Sequence, residues 1–167
     1  MSERKITVIP QKINLNTAKK QEVKRLNVVA YYRVSTAQEE QETSYEAQVS
    51  YYTKLITENP SWNLAGIYAD DGISGTNTKK RDDFNAMMDR CLQKRHSIDM
   101  ILTKSISRFA RNTVDCLSCI RKLKEKNIAI YFEKENINTL ESTGELLITI
   151  LSRQAQEESR NIRENVK

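Results

Sequence analysis

The sequence is short of residues that break or bend a chain. Its 167 residues include only four Gly and two Pro, which argues against a loop-dominated fold and predicts long regular elements. Histidine is almost missing: the single one is His96, in KRHSID, so a Ser–His–acid triad is not expected. The three cysteines are an odd count, and the N-terminus has no h-region, which argues against a disulfide framework. No apolar run approaches the roughly 20 residues that span a bilayer. The expectation is a cytoplasmic protein with no membrane partner. One charge sign does not dominate either. With 27 basic and 22 acidic residues the net charge is +5, which permits a polyanionic partner without requiring one.

Cys116 and Cys119 form a C-x-x-C, a spacing used in redox and metal sites. There is no second pair, and the segment has helical periodicity with Val114, Leu117, Ile120 and Leu123 on one stripe. Buried or half-buried helix thiols are the expected reading.

What the chain does contain is an alternation of two periods. Residues 1–26 are polar and basic and form an N-terminal extension. NVVAYYRVS (27–35) has the β-branched and aromatic character of a strand. TSYEAQVSYYTKLITEN (43–59) is a helix, with Thr43 or Ser44 as cap and Pro60 beyond its end. NLAGIYAD is a second strand, DGISGTNTKK a loop, and RDDFNAMMDRCLQKR a helix with Phe84, Met87, Met88, Cys91 and Leu92 on its apolar face. DMILTKS is a third strand, RNTVDCLSCIRKLKEKN a third helix and IAIYFEKE a fourth strand. Repeated βαβ units predict an α/β fold: a central, mainly parallel sheet of four or more strands flanked by helices. Residues 27–141 make this domain. The last segment, 142–167, is one long helix with Leu146, Leu147, Ile150 and Leu151 near its start and Ile162 and Val166 near its end. A long helix leaving a compact domain does not bury its apolar stripe alone, so packing on a second copy is the expectation, with folding back on its own domain as the alternative.

In such a sheet, ligands gather at the carboxyl ends of the strands. The first strand ends YYRVS, and alternation places Arg33 and Ser35 on one face. It also buries one of Tyr31 and Tyr32. The loop after the second strand delivers Arg81 to a helix start, while Asp70 and Asp71 cap a loop. The third strand ends TKSISRFARN, where a helical turn would put Arg108 and Arg111 on one face. Neither YYRVST nor TKSISRFARN contains an acid. Clustered guanidiniums need an anion, and Arg suits phosphate because its planar fork stays charged and donates two parallel hydrogen bonds. A serine among them points to phosphoryl transfer, in which positioning and charge stabilisation do most of the work. The acceptor of the serine proton stays open at this point. Two other readings compete: a non-catalytic flavodoxin-like assembly or signalling module, and a tyrosine nucleophile at Tyr31 or Tyr32.

The blocks YYRVST, SYEAQ, DDGISGTNTKKRDDF, KSISRFARN and ELLITILSRQAQEESRNI, in this order over residues 27–167, resemble the catalytic domain of the serine recombinases, and within them the large integrase and transposase subgroup. The resemblance implies that Ser35 is the nucleophile, forming a 5′-phosphoserine link to DNA and freeing a 3′-hydroxyl. It implies that Arg33, Arg81, Arg108 and Arg111 serve the phosphate and that Gln48 supports the nucleophile. It further implies double-stranded DNA as partner, self-association to dimer and tetramer through the final helix, no metal, no cofactor and no ATP, and additional C-terminal DNA-binding domains. Family members often carry Asp immediately before the first Arg of the R-x-x-R pair, and here that position is Ser107.

Overall fold

The computed structural model describes residues 24–35, 45–72 and 81–166, apart from the side chains of Val34, Ser35, Asp71 and Asn165. The caps expected at Thr43 or Ser44, the extension up to residue 23 and most of the 71–80 loop lie outside the described residues.

The elements run β1 (Leu26–Ser35), α1 (Tyr45–Glu58), β2 (Trp62–Gly72), α2 (Asp82–Leu92), β3 (Met100–Thr103), α3 (Ile106–Phe109), α4 (Thr113–Glu125), β4 (Ala129–Phe132), β5 (Ile137–Asn138) and α5 (Ser142–Asn165). They form one five-stranded sheet in the order β2-β1-β3-β4-β5. The first four strands pair in parallel, and β5 adds antiparallel at the edge. The predicted α/β fold is therefore the observed one. The two-residue β5 is too short to leave a strand signature in sequence.

β1 lies inside the sheet, and its residues explain why. Val28, Val29, Ala30, Tyr31 and Tyr32 are all buried, so both of its faces are covered. Alternation sorts them. Val29 and Tyr31 join the core under α2, α4 and α5, with Met87, Cys91, Ile120, Leu123, Leu147 and Leu151. Val28, Ala30 and Tyr32 join a smaller core under α1, with Tyr52 and Ile56. The expectation that only one of Tyr31 and Tyr32 would be buried fails, because a doubly covered strand has no solvent face.

Three local expectations change. α3 is a single turn that stops at Phe109, and Ala110 is extended (φ −121°, ψ 155°). Arg108 and Arg111 therefore do not share one helix face. The buried Phe109 and Ala110 anchor the chain there and redirect it. Val114, expected on the apolar stripe of α4, is 53% exposed. The stripe starts instead at Cys116, which is buried, while Cys119 is half-buried. Finally, Asp70 does not cap a loop. It ends the buried part of β2, and its carboxylate accepts from the amides of Asp83 and Phe84 at 3.0 Å each. It thereby satisfies two donors that the start of α2 leaves open, since Arg81 at the N-cap position supplies no side-chain acceptor.

α4 closes with a left-handed residue, Asn127 (φ 56°). The amides of Asn127 and Ile128 turn back to the carbonyls of Lys124 and Leu123, a Schellman arrangement with Ile128 and Leu123 both buried. The chain then enters β4. α5 has 24 residues, a length of about 36 Å. Its start presses on Thr139, where a Cβ on Gly144 would meet backbone atoms at 2.5 Å. Leu147 and Leu151 face α4 and the core, whereas Leu146, Ile150, Ile162 and Val166 are exposed. One edge of the helix thus belongs to its own domain and another is left to solvent.

Candidate active site

The carboxyl edge of the sheet holds the predicted cations. Arg33 lies near the end of β1, paired with Asp70 of β2, and Ser35 ends the strand opposite Gly72. The half-buried Arg33 donates from Nη2 to the Ser107 carbonyl at 3.2 Å, which ties β1 to the α3 turn. Arg81 sits at the N-cap position of α2. Its Nε and Nη2 donate to the Tyr31 hydroxyl at 3.3 and 2.9 Å. Nη2 also donates to the Phe109 carbonyl. The guanidinium lies 3.6 Å from the ring centroid of Phe84 and 5.3 Å from that of Tyr31, within cation–π range.

Tyr31 links the parts. Its hydroxyl accepts from Arg81 and donates to Asp70 Oδ2 at 3.1 Å. Burial is the main reason its acidity falls, with the pKa pushed up to about 12 against the pull of Arg81. A neutral, doubly engaged phenol suits a structural link and not a nucleophile. The chain Asp70–Tyr31–Arg81–Phe109 therefore fixes α2, β1, β2 and α3 to one another. Two of its members had other expected roles: Tyr31 stood only as a rival nucleophile, and Asp70 as a loop cap. Both carried a signal: Tyr31 precedes Arg33 by two and so shares its strand face, and Asp70 ends the neighbouring strand.

Electrostatics place the four arginines in one neighbourhood. The pKa of Arg33 is lowered first by burial, and Arg81, Arg108 and Arg111 all push it further down, with Tyr31 opposing. Among the described residues neither Arg33 nor Arg81 has a carboxylate in an ion pair. Their partners are carbonyls and a phenol. Arg108 is half-buried and Arg111 exposed. Ser107 offers its carbonyl to Arg33, while its hydroxyl lies 3.1 Å from that of the buried Ser105. The Ser35 side chain lies outside the described residues, so the convergence of the cations on its hydroxyl remains an expectation.

Gln48 falls elsewhere. It lines a cleft of about 500 Å³ beside Tyr51, Tyr52, Lys104, Glu133 and Lys134, and none of the four arginines lines that cleft.

Residues 28–167 match the family model described as Resolvase, N terminal domain. The chain belongs to the resolvase family of serine recombinases. These are DNA-cleaving and rejoining enzymes. The chain is 29% identical over 143 residues to the Tn3 resolvase of Escherichia coli, covering 83% of this chain and 67% of that protein. It matches the R46 site-specific recombinase of the same organism at the same identity, covering 65% of that protein. The chain thus spans about two thirds of the length of these curated relatives. A crystal structure of a resolvase family site-specific recombinase from Streptococcus pneumoniae superposes with a TM-score of 0.70 at 30% identity, covering 85% of this chain and 93% of that one. The N-terminal catalytic domain of TP901-1 integrase, 24% identical, shares the fold with a TM-score of 0.62 over 80% of this chain and 97% of that one. No described helix is long and apolar enough to cross a membrane.

Proposed function

We propose that the chain is the DNA-cleaving domain of a site-specific recombinase, with Ser35 as nucleophile and Arg33, Arg108 and Arg111 as the groups that meet the scissile phosphate. The observation that carries this reading is the gathering of arginines at the carboxyl edge of the sheet: Arg33 is tied to the turn that bears Arg108, and Arg81, Arg108 and Arg111 lie close enough to lower its pKa further after burial, the larger cause, has lowered it. A cation cluster of this kind is relieved by an anion seated within it, and a backbone phosphate is the anion that the family's substrate supplies. The Ser35 oxygen attacks phosphorus, its proton leaves to a base or to water, and the bond to the 3′ oxygen breaks as that oxygen takes a proton from an acid or from water. The products are a 5′-phosphoserine and a free 3′-hydroxyl. The reverse attack by a 3′-hydroxyl restores the strand and the serine. Guanidiniums stabilise the charge on the pentacoordinate phosphorus. Arg81 acts as a positioning residue, since its Nε and Nη2 are already committed to Tyr31 and Phe109.

The same reading assigns double-stranded DNA as the partner, with dimer and tetramer assembly through the exposed Leu146–Ile150 edge of α5. Sequence choice would fall to further C-terminal DNA-binding domains, because phosphate contacts carry no base information. The test is trapping of the covalent intermediate on nicked site DNA, followed by mass spectrometry. The expected adduct lies on the peptide holding Ser35. Ser35→Ala removes it and leaves DNA affinity within about twofold. An adduct on Tyr, or one that survives Ser35→Ala, rejects the assignment.

A further inference from the structure

We infer that the cleft beside α1 is a second phosphate seat, which grips the backbone of the bound DNA next to the cleavage site through Lys104 and Lys134. The inference rests on the recombinase reading for its partner, but it stands on separate residues. Backbone pairing runs on past the ends of β3 and β4: Glu133 donates to the Thr103 carbonyl at 3.0 Å and Lys134 to the Lys104 carbonyl at 2.9 Å. This holds Lys104 and Lys134 side by side at the sheet edge, both exposed and both on the cleft.

The one acid on the cleft offsets only part of their charge and pairs with neither of them among the described residues. Glu133 faces the same cleft, yet each of its oxygens is taken by a phenol: Tyr51 donates to Oε1 and Tyr52 to Oε2, both at 2.9 Å. Neither lysine forms an ion pair among the described residues. Two ammoniums thus stand, without an ion-pair partner among the described residues, over a hollow walled by the Tyr51 and Tyr52 rings, next to a carboxylate held by hydroxyl donors. Tyr52 is buried and fixed, stacked on Tyr32 at 6.0 Å, while Tyr51 is half-exposed and gives an aromatic wall. Gln48 adds an amide that can donate to a phosphate oxygen. The volume fits a sugar–phosphate unit.

Position favours DNA as the occupant. Lys104 leads directly into Ser105, Ser107 and Arg108, and the level of β1 at which Tyr31 pairs with Thr103 lies just below Arg33. Neighbouring strands are about 4.8 Å apart, so β4 sits roughly 10 Å across the edge from β1. A duplex whose scissile phosphate meets Arg33 therefore brings other backbone phosphates within reach of the cleft.

The experiment measures binding of the protein to a 40-base-pair duplex as a function of salt. Each phosphate contact contributes about 0.9 to the slope of log affinity against log salt. Lys104→Gln with Lys134→Gln should lower that slope by roughly 1–2, and each single change by about half as much. Lys104→Arg with Lys134→Arg should keep it. An unchanged slope in the double Gln variant overturns the inference, as does a slope change that the Arg variant fails to rescue. Adduct formation at Ser35, read separately on wild-type protein, keeps the two readings distinct. An adduct with an unchanged slope removes only the seat. A lysine-dependent slope without a serine adduct removes only the recombination chemistry.

Discussion

On the α2 side of the sheet edge, cations are gripped: Arg33 by the Ser107 carbonyl, Arg81 by the Tyr31 hydroxyl, the Phe109 carbonyl and two aromatic faces. On the α1 side it is the anion that is gripped, with Glu133 between Tyr51 and Tyr52, and the lysines beside it extend into solvent. The same edge thus offers guanidiniums held by hydrogen bonds on one face and exposed ammoniums on the other. Stabilising a transition state requires donors that need no rearrangement at the moment of reaction. Holding a flexible polyanion requires charge more than geometry, and lysine suits that task as a point charge on a long stem.

The largest separation between the two faces should appear in cleavage rate. Arg33→Ala is expected to slow single-turnover strand cleavage roughly 100- to 1,000-fold, about 3–4 kcal/mol, in line with the loss of one preorganised donor. Its thermal midpoint should change little, because the residue gives the fold a single hydrogen bond. Lys104→Ala, assayed with saturating DNA, should cleave at close to the wild-type rate. Equal losses for the two variants would erase the distinction between the faces.

Arg81→Ala should register in stability. It removes charge-assisted hydrogen bonds and a close ring contact and leaves the Tyr31 hydroxyl and the Phe109 carbonyl without their donor. Together these are worth about 2–4 kcal/mol, readable as a lower urea midpoint. Lys104→Ala, an exposed change, should stay within about 0.5 kcal/mol. Arg81→Lys restores charge but not the fork, and should recover only part of the loss.

This contrast also marks what was legible in the sequence. Strand and helix periods gave the parallel sheet, because β1 is apolar on both faces and α2 and α4 carry stripes at helical spacing. The arginines stood out because YYRVST and TKSISRFARN contain no acid to neutralise them. What pattern could not supply was partnership across the chain. Arg81 meets Tyr31 fifty positions away and Phe109 twenty-eight away, and nothing in a linear pattern says that its Nε and Nη2 are spent inside the fold. The side of the sheet that Gln48 occupies was hidden for the same reason: its helix packs on the face opposite Arg81, and that choice of face is made by tertiary packing. The i, i+3 spacing of Arg108 and Arg111 misled because the buried Phe109 and Ala110 end the turn between them.

Alkaline pH should sharpen the comparison further. The Tyr31 pKa rises from 10.0 to about 12 on folding. Its stabilising contribution is therefore complete below pH 10 and is lost as pH climbs through 12, on the order of 2–3 kcal/mol. Cys91 and Cys116, raised from 9.0 to about 12 by burial, act in the same direction and begin near pH 9. Tyr31→Phe should lower stability at pH 7 by about 1–3 kcal/mol, because Asp70 and Arg81 each lose a partner. It should also flatten the part of the alkaline decline above pH 10. A variant whose decline stays as steep as wild type would show that the phenol is not the titrating link.

The smallest effect belongs to the two phenols on Glu133, and it tests how firmly the cleft is built. Tyr51 is 52% exposed and Tyr52 only 1%, yet both hold the carboxylate at the same distance. Water can replace the Tyr51 hydroxyl, so Tyr51→Phe should cost no more than about 0.5–1 kcal/mol. Tyr52→Phe removes a donor that water reaches less easily, and should cost more, about 1–2 kcal/mol. The functional consequence runs in one direction for both. A Glu133 released from its phenols is free to pair with Lys104 or Lys134, which would withdraw an ammonium from the cleft. Each variant should then lower the salt slope of DNA binding, although neither residue carries a charge. A slope that holds at the wild-type value in Tyr52→Phe would mean that the lysines keep their freedom without the phenols, and that the grip on Glu133 serves the fold alone.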